Sequence, residues 1–125
     1  MKKVLAIGEA MVELRRGGEN AYASDVAGDV YNTAVYLKRL LGDSTQVDFF
    51  SALGDDPVSA GMRAKFEAEG IGTGTVKTLP GAVPGLYMIH TDARGERSFS
   101  YWRSASAARR MMEGETVASL AAAMA

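Results

Sequence analysis

Three side chains within one short stretch could grip a small, acidic, hydroxyl-rich molecule. Tyr87, Tyr101 and Arg103 all lie in PGLYMIHTDARGERSFSYWR, residues 84–103. The stretch reads as two strands around a turn. If the turn is Asp92-Ala93-Arg94-Gly95-Glu96, then Thr91 opposes Arg97, Ile89 opposes Phe99 and Tyr87 opposes Tyr101. Side chains alternate between the faces of a strand, so Tyr87, Ile89, Phe99, Tyr101 and Arg103 share one face. Leu86, Met88, Ser98, Ser100 and Trp102 share the other. Two phenols beside a planar guanidinium suit a polyhydroxylated carboxylate, and each hydrogen bond to a charged partner is worth roughly 1.5–3 kcal/mol. A slip of one residue in the pairing would scatter the trio over both faces. The same aromatics also suit plain packing on a half-buried pleated surface.

A second candidate is AGDVYNTAVYL, residues 27–37. Gly28 and Asp29 open a helix whose first backbone N–H groups are free to receive an anion or a hydroxyl. Asn32, in the first turn, can both donate and accept. The alternative is ordinary capping. Glu9 and Glu13 follow the first strand, where α/β sheets tend to hold ligands; they either bond substrate hydroxyls or stand solvated. His90 is the single histidine, which excludes a two-histidine metal site and reads as structural. With no cysteine there is neither a disulfide framework nor a thiolate site. No metal-binding residues are expected, and no GxGxxG, Walker, HExxH or GxSxG pattern occurs.

The elements that must carry these residues alternate. Lys3–Ile7 (KVLAI) is a short apolar run that reads as a buried strand, and 47–53 (VDFFSAL) as a second. Residues 9–14 alternate weakly, and 15–27 read as loop or short edge strands. A helix is expected from Val30, with Asp29 as N-cap, a stripe of Val30, Ala34, Leu37 and Leu41, and Gly42 as a left-handed end. GDDPVSAGMRAKFEAEG predicts another, with Asp56 as cap, Pro57 first, Gly70 after the end, and Val58, Met62 and Phe66 as its buried stripe. TVKTL is a short strand, and 104–125 has helix-favouring composition. Strand, helix, strand, helix with an inserted hairpin is an α/β sheet with short strands standing off it.

With 14 basic and 15 acidic residues the net charge is −1, which provides no electrostatic footprint for nucleic acid or an anionic membrane. No apolar run approaches the roughly 18 residues of a membrane span. The run after Met1-Lys2-Lys3 is too short for a signal peptide, so a cytoplasmic protein is expected. A parallel sheet needs cover on both faces, and these elements supply little. The expectation is therefore the N-terminal portion of a longer fold.

Four stretches, GEAMVEL (8–14), AGDVYNTAVYLKRLLG (27–42), ALGDDPVSAGM (52–62) and above all residues 84–103, together resemble the ribokinase-like (PfkB-type) carbohydrate kinases. Within that family they are nearest to the branch acting on 2-keto-3-deoxygluconate. The resemblance implies a three-layer α/β fold with a small β-sheet lid over the sugar. Residues 1–125 would be a partial kinase domain, with lid segments at about 9–27 and 84–103. It implies substrate contacts at Gly28, Asp29, Asn32, Tyr87, Tyr101 and Arg103, with Arg103 on the keto acid's carboxylate and Glu13 as a further hydroxyl-binding acid. It implies ATP and Mg²⁺ for the complete enzyme, and a homo-oligomer formed through the lid sheet. The family's catalytic aspartate sits in a Gly-rich GAGD-type motif far toward the C-terminus, beside the ATP pocket, and this chain has neither. The Gly54-Asp55-Asp56 run comes too early and is implied to be a structural loop. The expectation is a substrate-binding and lid half of a sugar-acid kinase, inactive alone; the alternative is a non-catalytic sugar-acid-binding or dimerising module.

Overall fold

A computed structural model describes residues 1–125. The elements run β1 (Lys2–Ile7), β2 (Met11–Gly18), β3 (Ala21–Ala27), α1 (Asp29–Leu41), a 3₁₀ turn (Gly42–Ser44), β4 (Thr45–Leu53), α2 (Pro57–Ala68), β5 (Val76–Thr78), β6 (Gly85–Thr91), β7 (Arg97–Trp102), a second 3₁₀ turn (Ala107–Arg110) and α3 (Val117–Met124). They build two sheets. One is parallel, in the order β1-β4-β5. The other is mixed, in the order β3-β2-β6-β7, with β2 and β6 parallel and both outer pairs antiparallel.

The middle strand of the parallel sheet is TQVDFFSAL, in which only Gln46 is exposed. An unbroken apolar run is what a strand covered on both faces requires. β1 carries a similar run but pairs only with β4, and its residues are half-buried or exposed. An apolar run alone did not distinguish a central strand from an edge, so the expectation of a buried β1 is corrected. α1 and α2 pack onto β4. Tyr31 of α1 and Phe66 of α2 have ring centroids 5.0 Å apart, and each meets Phe49 of β4, at 6.2 and 5.4 Å. Such pairs add about 0.5–1.5 kcal/mol beyond the area they bury.

α2 begins and ends as its sequence dictates. The Asp56 carboxylate accepts from the backbone N–H groups of Val58 and Ser59, Pro57 takes the first position, and Gly70 has φ of 77°. The buried residues are Ser59, Met62 and Phe66, whereas Val58 is 51% exposed. Ser59 is tolerated inside because its hydroxyl donates to Asp56 and accepts from Gly54 N–H. α1 differs from expectation at its start. Its N-cap is Gly28, with no side-chain cap, and Asp29 is the first helical residue. Its buried residues are Tyr31, Ala34 and Val35; of the expected stripe Ala34 is buried, Val30 and Leu37 pack half-buried against the core, and Leu41 is 40% exposed. Of the two readings of residues 15–27, loop or short edge strands, the structure has strands: they form most of a long antiparallel pair, β2 with β3, and β3 is an edge of the mixed sheet. In the tail, α3 is capped by Thr116 and Ser119, and Lys3 Nζ donates to the carbonyls of Ala123 and Ala125, tying it to β1.

Candidate functional site

The chain crosses between the two sheets four times: at Gly8–Ala10, at Gly28, along 79–84, and after Trp102. Beside these crossings lies a cleft of about 260 Å³. Gly28, Asp29 and Asn32 line it from the start of α1. Tyr87, Tyr101 and Arg103 line it from the β6–β7 hairpin, and Met11 and Phe99 complete the wall.

Each group comes to the cleft for a local reason. Gly28 has φ of 141°, and a Cβ there would lie 2.7 Å from the Glu9 carbonyl oxygen. Only glycine lets the chain pass and turn directly into a helix. The first intrahelical bond runs from Asn32 N–H to the Gly28 carbonyl at 2.8 Å, so the N–H groups of residues 29–31 have no partner within the helix. On the other wall the turn spans Asp92–Glu96. Asp92 N–H donates to the Glu96 carbonyl, the Asp92 carboxylate accepts from the N–H groups of Arg94 and Glu96, and Gly95 has φ of 82°. The register is Tyr87 to Tyr101, Ile89 to Phe99 and Thr91 to Arg97. Tyr87 and Tyr101 have ring centroids 6.0 Å apart, and Phe99 stacks on Tyr101 at 6.3 Å. The pairing worked out from the turn is thus the one found, and the trio stays on one face.

Glu13 stands on this same face, one strand over. β2 and β6 pair with Glu13 opposite Tyr87, and the Tyr87 hydroxyl donates to Glu13 Oε1 at 2.6 Å. Burial, followed by that bond to a carboxylate, pushes the Tyr87 phenol well above its ordinary range. The phenol therefore stays neutral at physiological pH. With its proton committed to Glu13, its oxygen faces a ligand as an acceptor. Glu13 does not line the cleft.

Glu9 is not solvated. Its side chain is 10% exposed, Oε1 stands 2.6 Å from Arg103 Nη2, and Oε2 accepts from Ser106 Oγ at 2.6 Å. His90 lies on the sheet's opposite face, 2.9 Å from Ser100 Oγ. In the Gly54-Asp55-Asp56 loop, Asp56 caps α2 and Asp55 accepts from Gly81 N–H at 3.0 Å.

The structure thus brings Gly28, Asp29, Asn32, Tyr87, Tyr101 and Arg103 to one cleft and puts Glu13 outside it, on the neighbouring strand and bonded to Tyr87. Sequence reasoning missed Met11 and the bracing by Glu9. Phe99 was legible as a member of the face. Met11 was not, because its place depends on β2 pairing with a segment some 70 residues away. No helix is long and apolar enough to cross a membrane.

Comparison with known proteins adds three findings. Residues 1–125 match a family model described as pfkB family carbohydrate kinase. A 2-dehydro-3-deoxygluconokinase of Dickeya dadantii is 42% identical over 113 residues, covering 90% of this chain and 36% of that protein. The Haemophilus influenzae protein of the same name is 43% identical over 114 residues, with the same coverage. The chain therefore spans about a third of the length of these relatives. Among solved structures, a fructokinase from Xylella fastidiosa superposes with a TM-score of 0.74 at 29% identity, over 85% of this chain and 34% of that one. A 2-dehydro-3-deoxygluconokinase from Thermotoga maritima superposes with a TM-score of 0.78 at 20% identity, over 92% and 35%, a likeness of fold alone.

Proposed function

We propose, on the premise that this chain belongs to the pfkB family of carbohydrate kinases, that its cleft is the sugar-acid site of a kinase for 2-keto-3-deoxygluconate. That compound and the 2-dehydro-3-deoxygluconate in the relatives' names are the same molecule. The observation that carries the reading is the company kept in the cleft: one guanidinium, two phenols, an aspartate, an asparagine and a helix N-terminus around about 260 Å³. Arg103 receives the carboxylate as a two-pronged donor. Tyr87 accepts from a substrate hydroxyl, and Tyr101 bonds a neighbouring one. Asp29, Asn32 and the free amides of α1, opened by Gly28, hold the hydroxyls at the other end.

The mixed sheet is, on this reading, the lid, and the complete cytoplasmic enzyme moves the terminal phosphoryl group of ATP to a substrate hydroxyl. On this reading the nucleotide and its Mg²⁺ are held elsewhere in the complete enzyme. This chain binds and covers the sugar acid without transferring phosphate. The sheet's other face, where Trp102 is 56% exposed opposite Leu86, is proposed as the contact between two copies.

Titration calorimetry with 2-keto-3-deoxygluconate tests the site. Heat from the wild-type chain and at least a tenfold loss of affinity in Arg103→Ala are expected, as for removal of a charged hydrogen-bond partner. No heat, or equal affinities, would sink the reading. Incubation with ATP, Mg²⁺ and substrate is expected to yield no ADP, and ADP production would refute the lid-half assignment.

A further inference from the structure

Glu9 lies where the crossings between the sheets meet. It follows β1 and precedes β2. Its carbonyl oxygen would be 2.7 Å from a Cβ at Gly28, where β3 passes into α1, and its Oε2 would be 2.7 Å from a Cβ at Gly85, where β6 begins. Ser106 donates to it from the segment after β7. Glycines at 28 and 85 therefore clear the room that this residue occupies. A carboxylate buried to 10% exposure needs a cation, and the one present is Arg103, itself 47% exposed and lining the cleft. The contact is made through one nitrogen: Oε1 is 2.6 Å from Nη2, and neither Nε nor Nη1 is engaged by a protein group. The rest of the guanidinium's N–H fork is left for another partner.

We propose that Glu9 is a positioning residue for Arg103: it anchors the guanidinium from behind, at the edge of the cleft, while leaving its donors to a ligand carboxylate. The proposal rests on the sugar-acid reading of the cleft. It also gives Glu9 a part in specificity. A guanidinium already offset by a buried carboxylate attracts simple anions weakly, and rewards a ligand that meets its planar fork with two oxygens at once. Neither Asp29 nor Glu13 is in contact with Arg103; Glu13 is engaged by Tyr87 and, at 3.9 Å, by Arg15.

The test uses Glu9→Gln, which keeps the size of the side chain and an oxygen to accept from Ser106, with circular dichroism as the check that the chain folds. Two ligands are titrated: 2-keto-3-deoxygluconate, and 3-deoxyfructose, which carries CH₂OH in place of the carboxylate. The variant is expected to bind the acid about tenfold more weakly, with the neutral ketose unchanged. In an Arg103→Ala background, Glu9→Gln is expected to cost the acid nothing further. Equal losses for both ligands, or full additivity with Arg103→Ala, would overturn the proposal by showing a merely structural role. If the wild-type chain binds neither ligand, the sugar-acid reading fails separately, and the anchoring is decided on the free protein. The Arg103 Nε–Hε resonance is then expected to stand apart in the wild type and to collapse onto those of exposed arginines in Glu9→Gln. An unchanged resonance would overturn it.

Discussion

The parallel sheet and the mixed sheet are held together by different physics. Around β4 the side chains are sealed: Val47, Phe49, Leu53, Met62 and Phe66 are each 2% exposed or less. In the mixed sheet burial is confined to the end near the crossings, at Met11, Ala27 and Gly85, and the outward strands are half-buried or exposed. What organises that sheet is its backbone ladder and polar pairs such as Tyr87 with Glu13 and Lys65 with Asp25. Exposed ion pairs contribute about 0–1 kcal/mol each. The difference teaches that one region supplies stability and the other presents chemistry at little cost to it.

The sharpest way to break that contrast is to empty the core. Phe66→Ala removes a fully buried ring that packs on Tyr31 and Phe49. It is expected to destabilise the chain by about 3–5 kcal/mol in denaturant unfolding. A loss under about 1 kcal/mol would show that the core does not dominate. Next in size is Arg103→Ala. It is expected to cost about 1.5–3 kcal/mol in sugar-acid affinity; because it also strands the buried Glu9 carboxylate, its effect on stability is read in the Glu9→Gln background, where the unfolding free energy is expected to move by about 0.5 kcal/mol or less. A large drop in stability would erase the division of labour.

Asp56→Ala, at the α2 cap, is expected to cost about 1 kcal/mol, and the effect carries a pH signature. Burial of the Asp56 carboxyl raises its pKa, but the Ser59 hydroxyl and the first-turn amides outweigh this and hold it below the ordinary carboxylate value. A depressed folded pKa contributes stability above the unfolded pKa of about 3.9, and that stability is lost as pH falls through the folded value. The gap between wild type and Asp56→Ala should therefore be full at pH 7 and close below about pH 4. A gap independent of pH would mean that the cap works through something other than its charge. The smallest effect on the fold is expected from Trp102→Ser. Sedimentation velocity should show copies that associate in the wild type and separate in the variant, with the unfolding midpoint hardly moved. Identical sedimentation would remove that face as a contact.

Features written in neighbouring residues were legible. The caps of α2 need only Asp56, Pro57 and Gly70, and the hairpin register needs only the length of the turn between Thr91 and Arg97. What depended on distant partners was not. β1 and β4 have similar apolar runs, yet only the second lies between two strands. The buried face of α1 was read in part: Val30, Ala34 and Leu37 do meet the core, but its most buried side chain besides Ala34 is Tyr31, whose ring reaches Phe49 and Phe66. Residues 15–27 stayed open between loop and short edge strands because Arg15-Arg16-Gly17-Gly18 and Asn20 break the apolar alternation, and those positions are exposed. For the cleft, the types and common face of Tyr87, Tyr101 and Arg103 could be worked out beforehand. The bracing by Glu9 could not, since it depends on two glycines and a serine 19 to 97 residues away.

Because the Tyr87 proton is spoken for by Glu13, the phenolic oxygen is left to receive. If the cleft takes a sugar acid as proposed, an analogue methylated at the matching oxygen would have no proton to offer there and would bind more weakly, however well its outline fitted.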